Sequence, residues 1–126
     1  MHKFVELATD RYTLIIISCC RYYQNVCTVS YSMVWWNWTR WEREIDWMAM
    51  NGLNLILSFT GQEFVWKIFY STLGLTDDEI DKFFSGPAFL AWQRMGNIRG
   101  WAGPLDDGWL SSQAILQKKI INQTIV

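Results

Sequence analysis

Residues 21–122 predict an α/β fold of the strand–helix–strand–helix kind, followed by a helix-rich C-terminal half. Three observations carry this. The stretch NWTRWEREIDWMAMNG (37–52) places Trp38, Trp41, Ile45, Met48 and Ala49 on one helical face. A short apolar run, LNLILSF (53–59), begins directly after Gly52, as a buried parallel strand does. Before the helix, RYYQNVCTVSYSMV (21–34) is rich in Tyr, Val and Thr with partial alternation. A helix between two strand-like runs at this spacing suits a parallel pair with a right-handed crossover.

The elements follow in order. Residues 1–20 show no clear period; within them TLIIIS (13–18) is β-branched enough for a strand. The run from 21 reads as a strand, then a loop around Thr28 to Ser32. Asn37 is placed to cap the helix that follows, and Asn51-Gly52 to stop it. On that helix Glu42 and Asp46 border the apolar face and Glu44 falls outside it, while Trp47 lies opposite, beside Arg40, Arg43 and Met50. Thr60 and Glu63 fit a capping box for a second helix ending at Gly74, with Phe64 and Ile68 at helical spacing. Thr76 and Glu79 repeat the box before Ile80, Phe83 and Phe84, and Gly86-Pro87 ends that segment. A short helix is expected in AFLAWQRM (88–95), a loop over 96–109, and a final helix over 110–122 with Leu110, Ala114, Ile115 and Ile121 aligned.

Composition narrows the function classes. The 126 residues are 51% hydrophobic and 18% charged, with a net charge of −1, which is globular and gives no electrostatic ground for a nucleic-acid partner. Leu14 to Ile17 is too short an apolar run to span a membrane, and Glu6, Asp10 and Arg11 interrupt any secretory leader. His2 is the sole histidine, so neither a zinc site nor a Ser-His-Asp set is expected, and no cofactor is called for. Cys19, Cys20 and Cys27 make an odd count with no CxxC. Asn37-Trp38-Thr39 and Asn122-Gln123-Thr124 match the N-glycosylation acceptor pattern.

Aromatics make up 17% of the chain, and bulky rings serve cores and carbohydrate sites alike. Paired carboxylates are the chemistry to seek beside them, because glycosidases need two. Glu63 stands just past the second strand-like run, where barrel active sites are built, but its spacing to Thr60 first marks it as a helix cap. Glu42, Glu44 and Asp46 read as a solvated face paired with Arg40 and Arg43, and Asp77, Asp78 and Glu79 as a helix start.

Two strings are more specific than any of these features. YYQNVCTVSYSMVWWNWTRWEREIDWMAMNGLNLILSFTGQE and GPAFLAWQRMGN closely resemble the α-N-acetylglucosaminidase family, glycoside hydrolase family 89, over about residues 21–121. The resemblance implies a (β/α)8 TIM barrel that removes terminal α-linked N-acetylglucosamine from glycans of the heparan sulfate type, with retention through two glutamates. Residues 21–121 would then form an incomplete catalytic domain holding the first βαβα units, flanked by a divergent extension (1–20) and a divergent tail (122–126). It further implies that Asn25, Cys27, Tyr31, Trp92 and Met95 bind the sugar, and that the setting is lysosomal or secretory. The family's catalytic glutamates lie downstream, one in an Asn-Glu motif, and neither Glu44 nor Glu63 corresponds to them. The expectation is therefore a fragment that is inactive alone, from a truncated gene model. A non-catalytic sugar-binding module and a nonfunctional product are the alternatives.

Overall fold

A computed structural model of the chain describes residues 20–124. The strand reading of residues 13–18 lies outside them. In chain order the elements are β1 (Tyr22–Tyr23), α1 (Val26–Ser30), a 3-10 turn (Ser32–Trp35), α2 (Trp38–Met50), β2 (Leu55–Ile56), α3 (Gln62–Thr72), α4 (Asp77–Phe83), a second 3-10 turn (Pro87–Phe89), α5 (Leu90–Arg94) and α6 (Asp107–Thr124). β1 and β2 pair in parallel, Tyr22 opposite Leu55 and Tyr23 opposite Ile56. The expected parallel β-α-β unit is present, and the described residues are otherwise mostly helical.

α2 forms as its sequence dictates. The Asn37 side chain accepts from the Arg40 N–H at 3.1 Å, and the chain leaves the helix through Asn51 and Gly52, the latter at φ 68°. Trp41, Ile45 and Met48 are buried on one face and meet Leu116 and Ile120 of α6, together with Val29 and Met33. A second cluster joins Ile80 and Phe84 to Leu105 and Leu110. α6 therefore spans both clusters and ties the C-terminal half to the β-α-β unit.

Four expectations are corrected. Both strands are only two residues long, and Leu55 of the second is 47% exposed rather than buried; Val26–Ser30 is helical despite its β-branched content, because packing against α5 and burial of Val29 and Ser30 outweigh a weak local propensity. Ala49 is exposed, whereas Glu44 is buried; it accepts from Tyr23 Oη at 2.7 Å and from Arg40 Nη1 at 3.0 Å. The buried face of α6 is Leu110, Gln113, Leu116 and Ile120, while Ile115 and Ile121 are exposed. Choosing apolar residues alone rotated that face by about one position, since a glutamine occupies a core-facing place.

The fourth correction concerns α3. No capping box forms at Thr60 and Glu63: the N-cap is Gly61 at φ 79°, without a side-chain cap bond. Only glycine suits this entry, because the backbone is left-handed and an added Cβ would stand 3.1 Å from the Gln113 carbonyl oxygen. Glu63 is claimed instead by Arg94, and two charge-assisted bonds outweigh one cap bond.

The box at Thr76 is real. Glu79 Oε2 accepts from the Thr76 N–H at 2.9 Å and its hydroxyl at 2.8 Å. The backbone bond first, then the hydroxyl, holds the Glu79 carboxyl below the ordinary carboxylate range. A depressed carboxyl contributes stability that is full above its unfolded pKa and lost as pH falls through its folded value. Thr76→Ala is expected to cost about 1 kcal/mol, read from the urea midpoint, and to flatten the acid limb of the stability curve. An unchanged acid limb would show that the backbone bond, which alanine keeps, carries the effect and the hydroxyl adds nothing to it.

Candidate functional site

The site begins where β1 ends. Gln24 follows the strand with φ 74°, a left-handed conformation that a non-glycine residue adopts at a cost, and its side chain is buried. This turn redirects the chain into α1. Asn25 is exposed at the start of that helix and its carbonyl accepts from the Val29 N–H at 3.3 Å. Cys27 lies one residue into α1, partly buried, and Tyr31 stands just past its end.

α5 supplies the other half. Trp92 Nε1 donates to Tyr31 Oη at 2.8 Å, and the Cys27 thiol approaches Met95 Sδ at 3.6 Å. Tyr31, Trp92 and Met95 are 49%, 44% and 41% exposed, so they form a wall that is organised yet open to solvent. Phe89 abuts the Trp92 ring with centroids 6.2 Å apart, which limits its tilt. Four of the five residues expected to bind sugar thus come together in two cross-linked pairs. Asn25 lies on the same segment, directly before α1.

A polar junction holds the segments that carry this wall. Arg94 Nε and Nη2 donate to Glu63 Oε1 and Oε2, both at 2.7 Å; Nη1 reaches Ser30 Oγ at 3.0 Å and Nη2 the Phe59 carbonyl at 3.3 Å. The Arg94 and Glu63 side chains are 4% and 3% exposed. Sequence reasoning missed Arg94, Ser30 and Gln24. The available signal was one arginine inside AWQRM, between two wall residues, with no acidic neighbour to explain it.

Among the described residues the two buried acids, Glu44 and Glu63, are both engaged by other side chains. Both oxygens of Glu63 are held by Arg94, and Glu44 is held by Tyr23 and Arg40. The Glu44 hydrogen bond, and secondarily burial, raises the Tyr23 phenol above its ordinary pKa. That contribution to stability is full below the unfolded phenol value and lost only as pH rises through the folded one. Among the described residues no group of three His, Cys, Asp or Glu could hold a metal ion. An apolar groove of about 450 Å³ runs along β2 and is lined in part by Trp41, Ile45, Leu55 and Ile120; none of the five wall residues borders it.

The tryptophan cluster is mainly scaffold. Trp41 is buried, Trp36 meets it edge-on with centroids 5.2 Å apart, and the Arg40 guanidinium covers Trp36 at 4.0 Å. Trp47 packs on Tyr23 at 5.4 Å, and Trp35 is exposed.

A parallel β-α-β unit with Cys27, Tyr31, Trp92 and Met95 gathered just beyond its first strand places the described residues in the α/β class. Residues 21–125 match the alpha-N-acetylglucosaminidase (NAGLU) TIM-barrel domain family. The chain is 61% identical over 103 residues to human alpha-N-acetylglucosaminidase, covering 82% of this chain and 14% of the human protein. Structures of a family 89 glycoside hydrolase from Clostridium perfringens superpose with a TM-score of 0.78 at 42% identity, over 83% of this chain and 12% of theirs. One of these holds 2-acetamido-1,2-dideoxynojirimycin; another is a double glutamate-to-glutamine variant with its substrate GlcNAc-α-1,4-galactose. The chain belongs to the α-N-acetylglucosaminidase family and spans about one seventh of the length of the human relative.

Proposed function

We propose that residues 21–121 form the opening βαβα part of a (β/α)8 barrel and carry one wall of a pocket for terminal α-linked N-acetylglucosamine. The carrying observation is the convergence of Tyr31 with Trp92 and of Cys27 with Met95, pairs 61 and 68 residues apart in sequence. An indole and a phenol joined by a hydrogen bond offer apolar ring surface to a pyranose, and Asn25 adds a polar group on the same segment. The substrate class is a glycan of the heparan sulfate type, and the setting lysosomal or secretory.

This chain alone supplies the wall but not the acid and base. Its two buried glutamates near the strands are engaged in structural bonds. The apolar face of α3, with Val65, Trp66, Ile68 and Phe69 exposed, also fits a part of a larger assembly better than a self-sufficient domain. The 126-residue chain is expected to release no product from an aryl α-N-acetylglucosaminide above a blank, and to give no calorimetric heat with N-acetylglucosamine. Turnover would overturn the fragment reading. Measurable binding without turnover would instead favour a non-catalytic sugar-binding module.

A positive test replaces the matching segment of the human enzyme with residues 21–121 of this chain. The chimaera is expected to hydrolyse the substrate. Its Trp92→Ala form is expected to lose at least about tenfold in kcat/KM, the equivalent of one lost stacking contact. Unchanged kcat/KM in that variant would remove Trp92 from the site.

A further inference from the structure

We propose that Arg94 is a positioning residue: its guanidinium, gripped by Glu63, sets the placement of Trp92 and Met95 against Tyr31 and Cys27. The sugar-facing role of those four side chains rests on the proposed function, but their mutual placement does not.

The geometry makes Arg94 a three-way junction. It sits on α5 between Trp92 and Met95. Its Nη1 reaches Ser30, which is fully buried, ends α1 and immediately precedes Tyr31. Its remaining bonds go to Glu63 in the first turn of α3 and to the Phe59 carbonyl beyond β2. One rigid planar fork therefore joins both halves of the wall to the segment that follows the second strand. Lysine, a point charge on a flexible stem, could not reproduce the fork.

α1 and α5 have five residues each, too short to hold a defined place by helix formation. Tyr31, Trp92 and Met95 are roughly half exposed, so apolar burial fixes them only weakly. A buried ion pair, for its part, gains little net stability over well-packed apolar residues, because desolvation offsets the attraction. What it supplies is direction, through bonds of defined geometry.

The test uses the full 126-residue chain without sugar and follows hydrogen exchange at the Trp92 indole N–H, assigned by its disappearance in Trp92→Phe. The Glu63→Leu/Arg94→Met double variant replaces the pair with apolar groups of similar size. It is expected to keep cooperative unfolding while Trp92 exchanges about tenfold faster, the loss of one hydrogen bond, with Trp41 unchanged. Arg94→Lys and Ser30→Ala are expected to act in the same direction. Unchanged Trp92 exchange in a folded double variant overturns the proposal. Should the double variant fail to fold, the other two decide. Faster exchange confined to Trp92 supports positioning, whereas no change, or parallel loosening of Trp41, overturns it. Because no sugar is present, a failure here is separate from a failure of the chimaera to hydrolyse substrate.

Discussion

Trp41→Ala is expected to destabilise the chain by about 3–5 kcal/mol, against a total stability on the order of 5–15 kcal/mol for a domain of ordinary size. Trp41 is 3% exposed and stands where α2, α6 and α1 meet, among Ile45, Met48, Val29, Met33, Leu116 and Ile120. Truncation would leave a cavity among these side chains, and Trp36 would lose the ring it meets edge-on. Trp41→Phe is expected to cost well under the alanine variant. The indole N–H is buried without a partner, and removing it relieves roughly 1–3 kcal/mol that offsets part of the lost contact. Urea unfolding of both variants checks this. Equal losses would show that ring size, with no relief from the N–H, sets the energy.

Arg94→Ala has the second large effect, about 3–5 kcal/mol, and Glu63→Ala is expected to match it. The pair lies almost wholly out of solvent, so deleting either partner strands the other as an uncompensated buried charge. The apolar double replacement removes both charges and should cost far less than the sum of the singles. A double-mutant cycle on unfolding free energies measures that coupling. Additive losses would mean that solvent reaches the stranded group and that the bonds matter less than their geometry indicates.

Local rules were legible where one residue answers one backbone need. Asn37 caps α2, Thr76 and Glu79 close a capping box, and Gly52 ends a helix with positive φ, all as their residue types and spacing require. The parallel pairing of residues 22–23 with 55–56 followed from two apolar runs separated by a helix. The wall was legible only through the family strings: nothing in the period of residues 86–97 marks Trp92 or Met95 as facing outward. Glu63 shows the limit of local reasoning. Its spacing from Thr60 is correct for a cap, but a guanidinium 31 residues away competes for the same carboxylate and wins.

α6 was misread for a related reason. Periodicity counts apolar residues, whereas burial depends on where the helix axis sits, and its approach to Gly61 turns Gln113 inward and Ile115 outward. The sequence by itself determined the β-α-β order, two of the three expected side-chain caps and the family. Only the tertiary structure decided that Val26–Ser30 coils after the first strand, that Glu63 and Arg94 form a buried junction, and that Tyr31 meets Trp92. Capping and periodicity act over a few residues of chain, while these three outcomes depend on charge, packing and hydrogen bonds between segments that meet only after folding.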